Sequence, residues 1–175
     1  MIFGILMKLL VIGHGRHGKD TVCELLKNEY GFDFKSSSDF CAEKFIYGVL
    51  KEKYNYANAT ECYEDRHNHR SEWYDMISEY CREDAARLGR EIFEVHQIYC
   101  GLRSPREFQA MRQEKVFDWC IWVDRSDHLP EEPITSMGLT QEDADYFLDN
   151  NGSVDDLVKN VSLMIDVLRD KPQSL

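Results

Sequence analysis

The chain has 175 residues, 43% apolar and 30% charged, a balance that fits one globular domain with a real core and excludes a disordered or fibrous chain. A formal net charge of −11 argues against a nucleic acid polymer as partner, since phosphate backbones select basic surfaces, yet a local arginine cluster can still receive a small anion. No apolar stretch is long enough to span a bilayer, so no membrane partner is expected and the chain reads as cytoplasmic.

In chain order, Ile2–Leu6 reads as the lead-in to a first strand, Lys8–Gly13, which would be complete even if it began at Met7. The loop Gly13-His14-Gly15-Arg16-His17-Gly18-Lys19-Asp20-Thr21 follows, and Lys19–Tyr30 has a helical pattern closed by Gly31. Glycine, four residues, glycine, lysine between a strand and a helix is the phosphate-cradling pattern of nucleotide-binding loops. Its glycines let successive backbone N–H groups curl into an anion-binding nest, and the helix start adds unpaired donors. Lys19, expected at the loop mouth and exposed, would reach the outer phosphates as a mobile point charge. Asp20 stands where Ser or Thr is usual, and its carboxylate is a hard oxygen ligand suited to Mg²⁺. Thr21 is placed to meet the innermost phosphate, while His14, Arg16 and His17 fill the variable positions.

Phe32–Lys35 reads as a second strand, and Ser36-Ser37-Ser38-Asp39 as the cap of a helix with Phe40, Phe45, Ile46, Val49 and Leu50 on one face. Asp39 suits either that cap or a contact to a substrate hydroxyl. Asn55–Asn68 is polar and irregular, the natural place for a mobile substrate lobe spanning about 41–95. Within it Arg66, His67, His69 and Arg70 form a basic stretch, read as a phosphate clamp or as a solvated surface. Cys62, His67 and His69 carry metal-ligating atoms but lack a fourth ligand at zinc spacing. Helices are expected at about 71–81 and 84–93.

Ile98–Leu102 reads as a third strand that delivers Arg103 to its carboxyl end. Ser104-Pro105-Arg106-Glu107 is a capping box with proline at the first helical position, opening a helix to about Glu114. Trp119–Val123 is a continuous apolar run, the mark of a strand buried on both faces. Asp124 and Arg125 end that strand and open a short lid at about 125–140, in which Pro130-Glu131-Glu132-Pro133 forbids continuous helix. Arg125 would act on the phosphates or pair with a neighbouring carboxylate on the surface. Asp145–Leu148 is the fifth strand, Asp149-Asn150-Asn151-Gly152 the turn after it, and Ser153-Val154-Asp155-Asp156 the cap of a last helix to about Leu168, with frayed residues beyond. Six scattered cysteines, several within apolar runs, read as reduced and buried. Strands alternating with helices predict an α/β fold, a five-stranded parallel sheet with helices on both faces in three layers.

Together the Gly13–Thr21 loop, the Gly101-Leu102-Arg103-Ser104 strand end and the Asp149–Ser153 turn resemble the nucleoside monophosphate kinases of the P-loop superfamily, and most of all the deoxynucleoside monophosphate kinases of bacteriophages. The resemblance implies ATP and Mg²⁺ held by Lys19, Asp20 and Thr21, and a substrate phosphate held by Arg103. It also implies that Asn150, Asn151 and Gly152 pack around the adenine, and it makes Asp124 similar to a Walker-B carboxylate on a later strand. Relatives often carry an acidic residue where Gly101 stands here. The implied reaction is ATP-dependent phosphorylation of a nucleoside monophosphate, in the cytoplasm or, for a virus-encoded chain, the host cytoplasm, with a homodimer left open. A P-loop kinase for another small metabolite, of dephospho-coenzyme A type, is the alternative enzyme. A nucleotide-dependent regulator is the alternative without chemistry, although the guanine motif Asn-Lys-x-Asp is absent.

Overall fold

The structure is a computed structural model that describes residues 7–170. The lead-in expected at Ile2–Leu6 and the fraying expected at the carboxyl terminus lie outside the described residues. Five strands, β1 (Leu9–Ile12), β2 (Phe34–Ser36), β3 (Ile98–Cys100), β4 (Trp119–Asp124) and β5 (Tyr146–Asp149), form one sheet in the order β2-β3-β1-β4-β5. Every pairing is parallel. The helices are α1 (Lys19–Tyr30), α2 (Ser37–Cys41), α3 (Tyr47–Tyr54), α4 (Ala59–Asp65), α5 (Arg70–Tyr80), α6 (Arg87–Val95), α7 (Pro105–Gln113) and α8 (Val154–Asp170).

A strand's side chains alternate between faces, so the continuous apolar runs supply two cores at once. Leu9, Val11, Ile98, Cys100, Ile121 and Val123 pack under α1 and α8. Leu10, Ile12, Tyr99, Cys120 and Trp122 pack on the other face, under α2, α6, α7 and the helices between them. All six cysteines are free thiols and buried. Among the described residues no helix is long and apolar enough to cross a membrane.

Local signals account for most boundaries. Gly31 takes φ 76° and closes α1, its N–H and that of Phe32 returning to Lys27 and Leu26 carbonyls. The Ser104 side chain accepts from the Glu107 N–H at 3.3 Å, with Pro105 as the first helical residue of α7. Ser36 likewise accepts from the Asp39 N–H at 3.2 Å, so Ser36 is the cap and Asp39 sits one turn inside α2.

Two expectations fail for identifiable reasons. Between α2 and α3 the chain makes a π-helical turn at Ala42–Ile46, and the fully buried residues Ala42, Ile46 and Leu50 recur across it at four-residue steps. The buried stripe becomes Cys41, Ala42, Ile46 and Leu50, and Val49 is left 65% exposed. The Asn55–Asn68 stretch is not irregular. Asn58 caps α4 by accepting from the Glu61 N–H at 2.9 Å, and the Glu61 carboxylate accepts from the Ala57 N–H at 2.7 Å. A tight 3₁₀ turn at Arg66–Asn68 then leads into α5. Asn-x-x-Glu was a legible start signal, masked by the polarity around it.

Candidate active site, the phosphate loop and the strap across it

The parallel sheet brings the carboxyl ends of its strands to one edge, where open α/β sheets bind ligands. The Gly13–Thr21 loop leaves β1 there, at the centre of the sheet. Its backbone requires glycine at two points. Gly13 has φ 142°, and a Cβ on it would stand 2.5 Å from the Val123 carbonyl oxygen. Gly18 has φ 93°, and a Cβ there would stand 2.3 Å from Asn150 Nδ2. Arg16 also holds a positive φ, 64°, a conformation that a side chain adopts reluctantly.

Lys19 is half-buried rather than exposed, and its Nζ donates to the His14 carbonyl at 2.7 Å. Burial, and then the nearby Arg103 charge, lower its pKa against the pull of Cys100 and the acidic residues. Asp20 remains exposed on the first turn of α1, where the Cys100 thiol approaches its Oδ1 at 3.6 Å.

The segment after β4 crosses this loop as a strap. The Arg125 N–H donates to His17 Nδ1 at 3.0 Å, His17 Nε2 faces the Pro130 carbonyl at 3.4 Å, and the Glu132 N–H donates to His14 Nδ1 at 3.1 Å. Burial, then the neighbouring His17, lower the His14 pKa, which suits a neutral imidazole whose Nδ1 accepts a hydrogen bond. The two histidines that read as space-fillers are therefore the anchors of the strap. Glu132 itself points into the loop. Its Oε2 accepts from the Gly15 N–H at 2.6 Å, and Arg103 Nη1 donates to both carboxylate oxygens at 2.9 and 3.0 Å. Arg103 Nη1 also reaches the Ser136 carbonyl at 3.0 Å. Burial works to raise the Glu132 carboxyl, but the hydrogen bonds from Arg103 and Gly15 outweigh it and hold it below the usual carboxylate range.

On the other side of the loop, Asn150 is buried and donates through Nδ2 to the His17 carbonyl at 2.9 Å. Asn151 Nδ2 donates to Asp124 at 2.9 Å, and Ser126 donates to the same carboxylate from its hydroxyl at 2.8 Å. Burial alone would raise the Asp124 carboxyl; those hydrogen bonds bring it below its ordinary value. Arg125 Nη1 meets the Asn150 carbonyl at 3.3 Å. Lys19, Arg103, Arg125, Asp124, Asn150 and Asn151 thus stand around one loop, although they come from four separate stretches of the chain.

The remaining sequence-derived residues lie farther out. Asp39 pairs with Lys35 at 2.7 Å. The Arg66 guanidinium stands over the Tyr63 ring at 3.8 Å from its centre and donates to that residue's carbonyl, and Arg70 is exposed beside His67. α4, which leads into both, packs on α2 and the π turn that leave the carboxyl end of β2. Cys62 is fully buried, and His69 Nε2 is 2.9 Å from Asp65. Among the described residues no group of three or more His, Cys, Asp and Glu side chains could hold a metal.

Glu132 carried no signal in the sequence, and Glu107 was read only as part of a cap. Burial pushes the Glu107 carboxyl up from 4.5 to about 7, partly opposed by Arg106. Its pKa is therefore higher folded than unfolded, so the folded chain keeps a proton that the unfolded chain releases. That contribution is complete below about pH 4 and is lost as pH rises towards 7. Glu107→Gln removes the ionisable group at nearly constant shape. It is expected to stabilise the chain by about 1–2 kcal/mol at pH 8, discounted for partial exposure, or roughly 2–6 °C in Tm. At pH 5 the difference should nearly vanish. Thermal denaturation followed by circular dichroism at both pH values checks this, and a gap of equal size at each would refute it.

A glycine-rich loop after the central strand, a five-stranded parallel sheet and helices on both faces define the fold of a P-loop kinase. Three solved structures share it along nearly their whole length. Shikimate kinase from Acinetobacter baumannii in complex with shikimate superposes with a TM-score of 0.54 at 14% identity, covering 97% of this chain and 98% of that one. Shikimate kinase from Aquifex aeolicus gives 0.51 at 15% identity over 91% and 96%. That from Bacteroides thetaiotaomicron gives 0.50 at 10% identity over 93% and 98%. Neither a protein-family model nor a curated protein matches the sequence, so the likeness is one of fold.

Proposed function

We propose that this chain transfers the terminal phosphoryl group of ATP to a nucleoside monophosphate, a deoxynucleotide in the most specific form of the reading, giving the diphosphate. One observation carries it: at the carboxyl edge of the sheet the Gly15 N–H and the Arg103 guanidinium converge on one anionic group, the Glu132 carboxylate, and so form a place suited to phosphate. The loop also holds Gly18 at φ 93°, a conformation that favours glycine and lets backbone N–H groups turn inward.

In this reading Gly13 to Gly18 wrap the donor phosphates, Lys19 swings from the His14 carbonyl to the outer ones, and Thr21 meets the innermost. Asn150, Asn151 and Gly152 flank the adenine, and Arg125 lies between them and the phosphates. Mg²⁺ would neutralise charge between the donor phosphates. Asp20 is the carboxylate to hold it, since it is exposed and has only a weak thiol donor, whereas Asp124 is engaged by Ser126 and Asn151 and would complete the acidic surroundings. Arg103 takes the acceptor phosphate. Arg66, Arg70 and Asp39, in the helical lobe or at its root, would close over the rest of the acceptor, and residues 125–140 act as the short lid. An acceptor phosphate is already ionised, so positioning and charge neutralisation suffice without a strong general base.

The structural neighbours are named for shikimate, which keeps another small metabolite as the second acceptor class. Measuring ADP release from ATP with a panel of ribo- and deoxynucleoside monophosphates, alongside hydroxylated metabolites, decides between them. Monophosphate-dependent turnover is expected. ATP binding with no transfer to any acceptor would make the chain a regulator instead.

A further inference from the structure

We infer that the Glu132 carboxylate is an internal occupant of a phosphate seat, which nucleotide must displace before the site can work. The inference rests on the phosphate-loop reading above and adds how that site is held at rest.

The contacts of Glu132 divide into two sets. Its backbone N–H belongs to the anchor: it donates to His14 Nδ1 at 3.1 Å, in parallel with the Arg125 N–H on His17 Nδ1 at 3.0 Å. Its carboxylate belongs to the loop: Oε2 takes the Gly15 N–H at 2.6 Å, and both oxygens take Arg103 Nη1. A carboxylate presents two anionic oxygens to backbone N–H and guanidinium donors much as a phosphate does. Seated there, it satisfies the same donors that a phosphate would use. Because anchor and occupant are separate, the carboxylate can leave by rotating its side chain while the strap remains on the two imidazoles. The Lys19 ammonium is likewise satisfied from within, by the His14 carbonyl at 2.7 Å. Two like anions cannot share one seat, so donor phosphate oxygens arriving at the Gly15 N–H expel the carboxylate and free Arg103 for the acceptor phosphate.

The consequence is thermodynamic. When the binding-competent form is only a fraction of the resting population, the apparent dissociation constant rises by the inverse of that fraction. Removing the occupant restores the intrinsic affinity.

The experiment is isothermal titration of the full-length protein with ATP, and separately with inorganic tripolyphosphate, for the unmutated chain, Glu132→Gln and Glu132→Ala. Both ligands should bind Glu132→Ala about five- to twentyfold more tightly than the unmutated chain, the strength of one charge-assisted contact. Glu132→Gln, which keeps the length of the side chain and still accepts from Gly15, should lie between them and preserves the test if alanine disturbs the strap. A gain with tripolyphosphate as well as ATP assigns the competition to the phosphates rather than to the base. Unchanged or weaker binding in the folded variants would overturn the inference while leaving the phosphate loop intact. Absence of binding in every form would remove both.

Discussion

Lys19→Ala is expected to abolish turnover while the chain stays folded. The ammonium donates to the His14 carbonyl and lies half-buried at the start of α1. Losing that contact should cost on the order of 1 kcal/mol, the usual net worth of a single hydrogen bond. The chemical loss is far larger. In phosphoryl transfer negative charge spreads over the migrating group, and a fixed cation there is worth roughly a hundred- to thousandfold or more in kcat. Burial and the Arg103 charge already lower the Lys19 pKa, so the ammonium is held in an environment ready to receive an anion. The check is kcat with ATP and the best monophosphate, beside a far-ultraviolet spectrum and Tm. A folded Lys19→Ala protein with near-normal kcat would end the phosphate-loop mechanism.

Arg103→Ala should act on the acceptor. Arg103 leaves β3 at the carboxyl edge of the sheet and directs its guanidinium into the space in front of Gly15, against Glu132 and the Ser136 carbonyl. With the acceptor bound, its planar fork would hold a phosphate in two-pronged geometry. Removing one charge-assisted phosphate contact should reduce kcat/KM for the monophosphate about thirty- to a hundredfold, on the order of 2–3 kcal/mol. ATP affinity should not fall, because the loop and Lys19 hold the donor and Glu132 loses a contact that keeps it seated. Steady-state kinetics with each substrate varied in turn separates the two effects. A loss falling equally on ATP binding would place Arg103 with the donor, and no loss at all would leave it a tether of the strap. Arg66→Ala and Arg70→Ala should show the acceptor effect more weakly, since Arg66 rests on Tyr63 and Arg70 on the surface.

The five strands, the glycine-rich loop between β1 and α1 and most helix starts were readable along the chain because each rests on interactions within a few residues. Apolar runs of four to six residues mark strands buried on both faces, as β1 and β4 prove to be. Gly31 and Ser104-Pro105 close and open helices through hydrogen bonds three to five residues apart. The π turn escaped because Ala42, Ile46 and Leu50 keep ordinary helical steps across it, and Val49 is as apolar outside as in. The strand order was likewise hidden: which strand β1 chooses on each side depends on how helices cover the two faces, not on any strand's own residues.

At the site, Gly13, Gly18 and Lys19 declared themselves by spacing, since a backbone that must pass close to its surroundings tolerates nothing larger than glycine. Glu132 could not. It is one of two adjacent glutamates in a proline-bounded loop, and only the return of that loop across β1 brings it within 2.6 Å of a residue 117 positions away. The same holds for His14 and His17, whose roles depend on strap N–H groups more than a hundred positions away. Chemistry that lives in the local backbone was written in order along the chain. Charge partners that meet only across the sheet edge were decided by the packing of the whole domain, because an electrostatic contact depends on distance in space and not on separation in sequence.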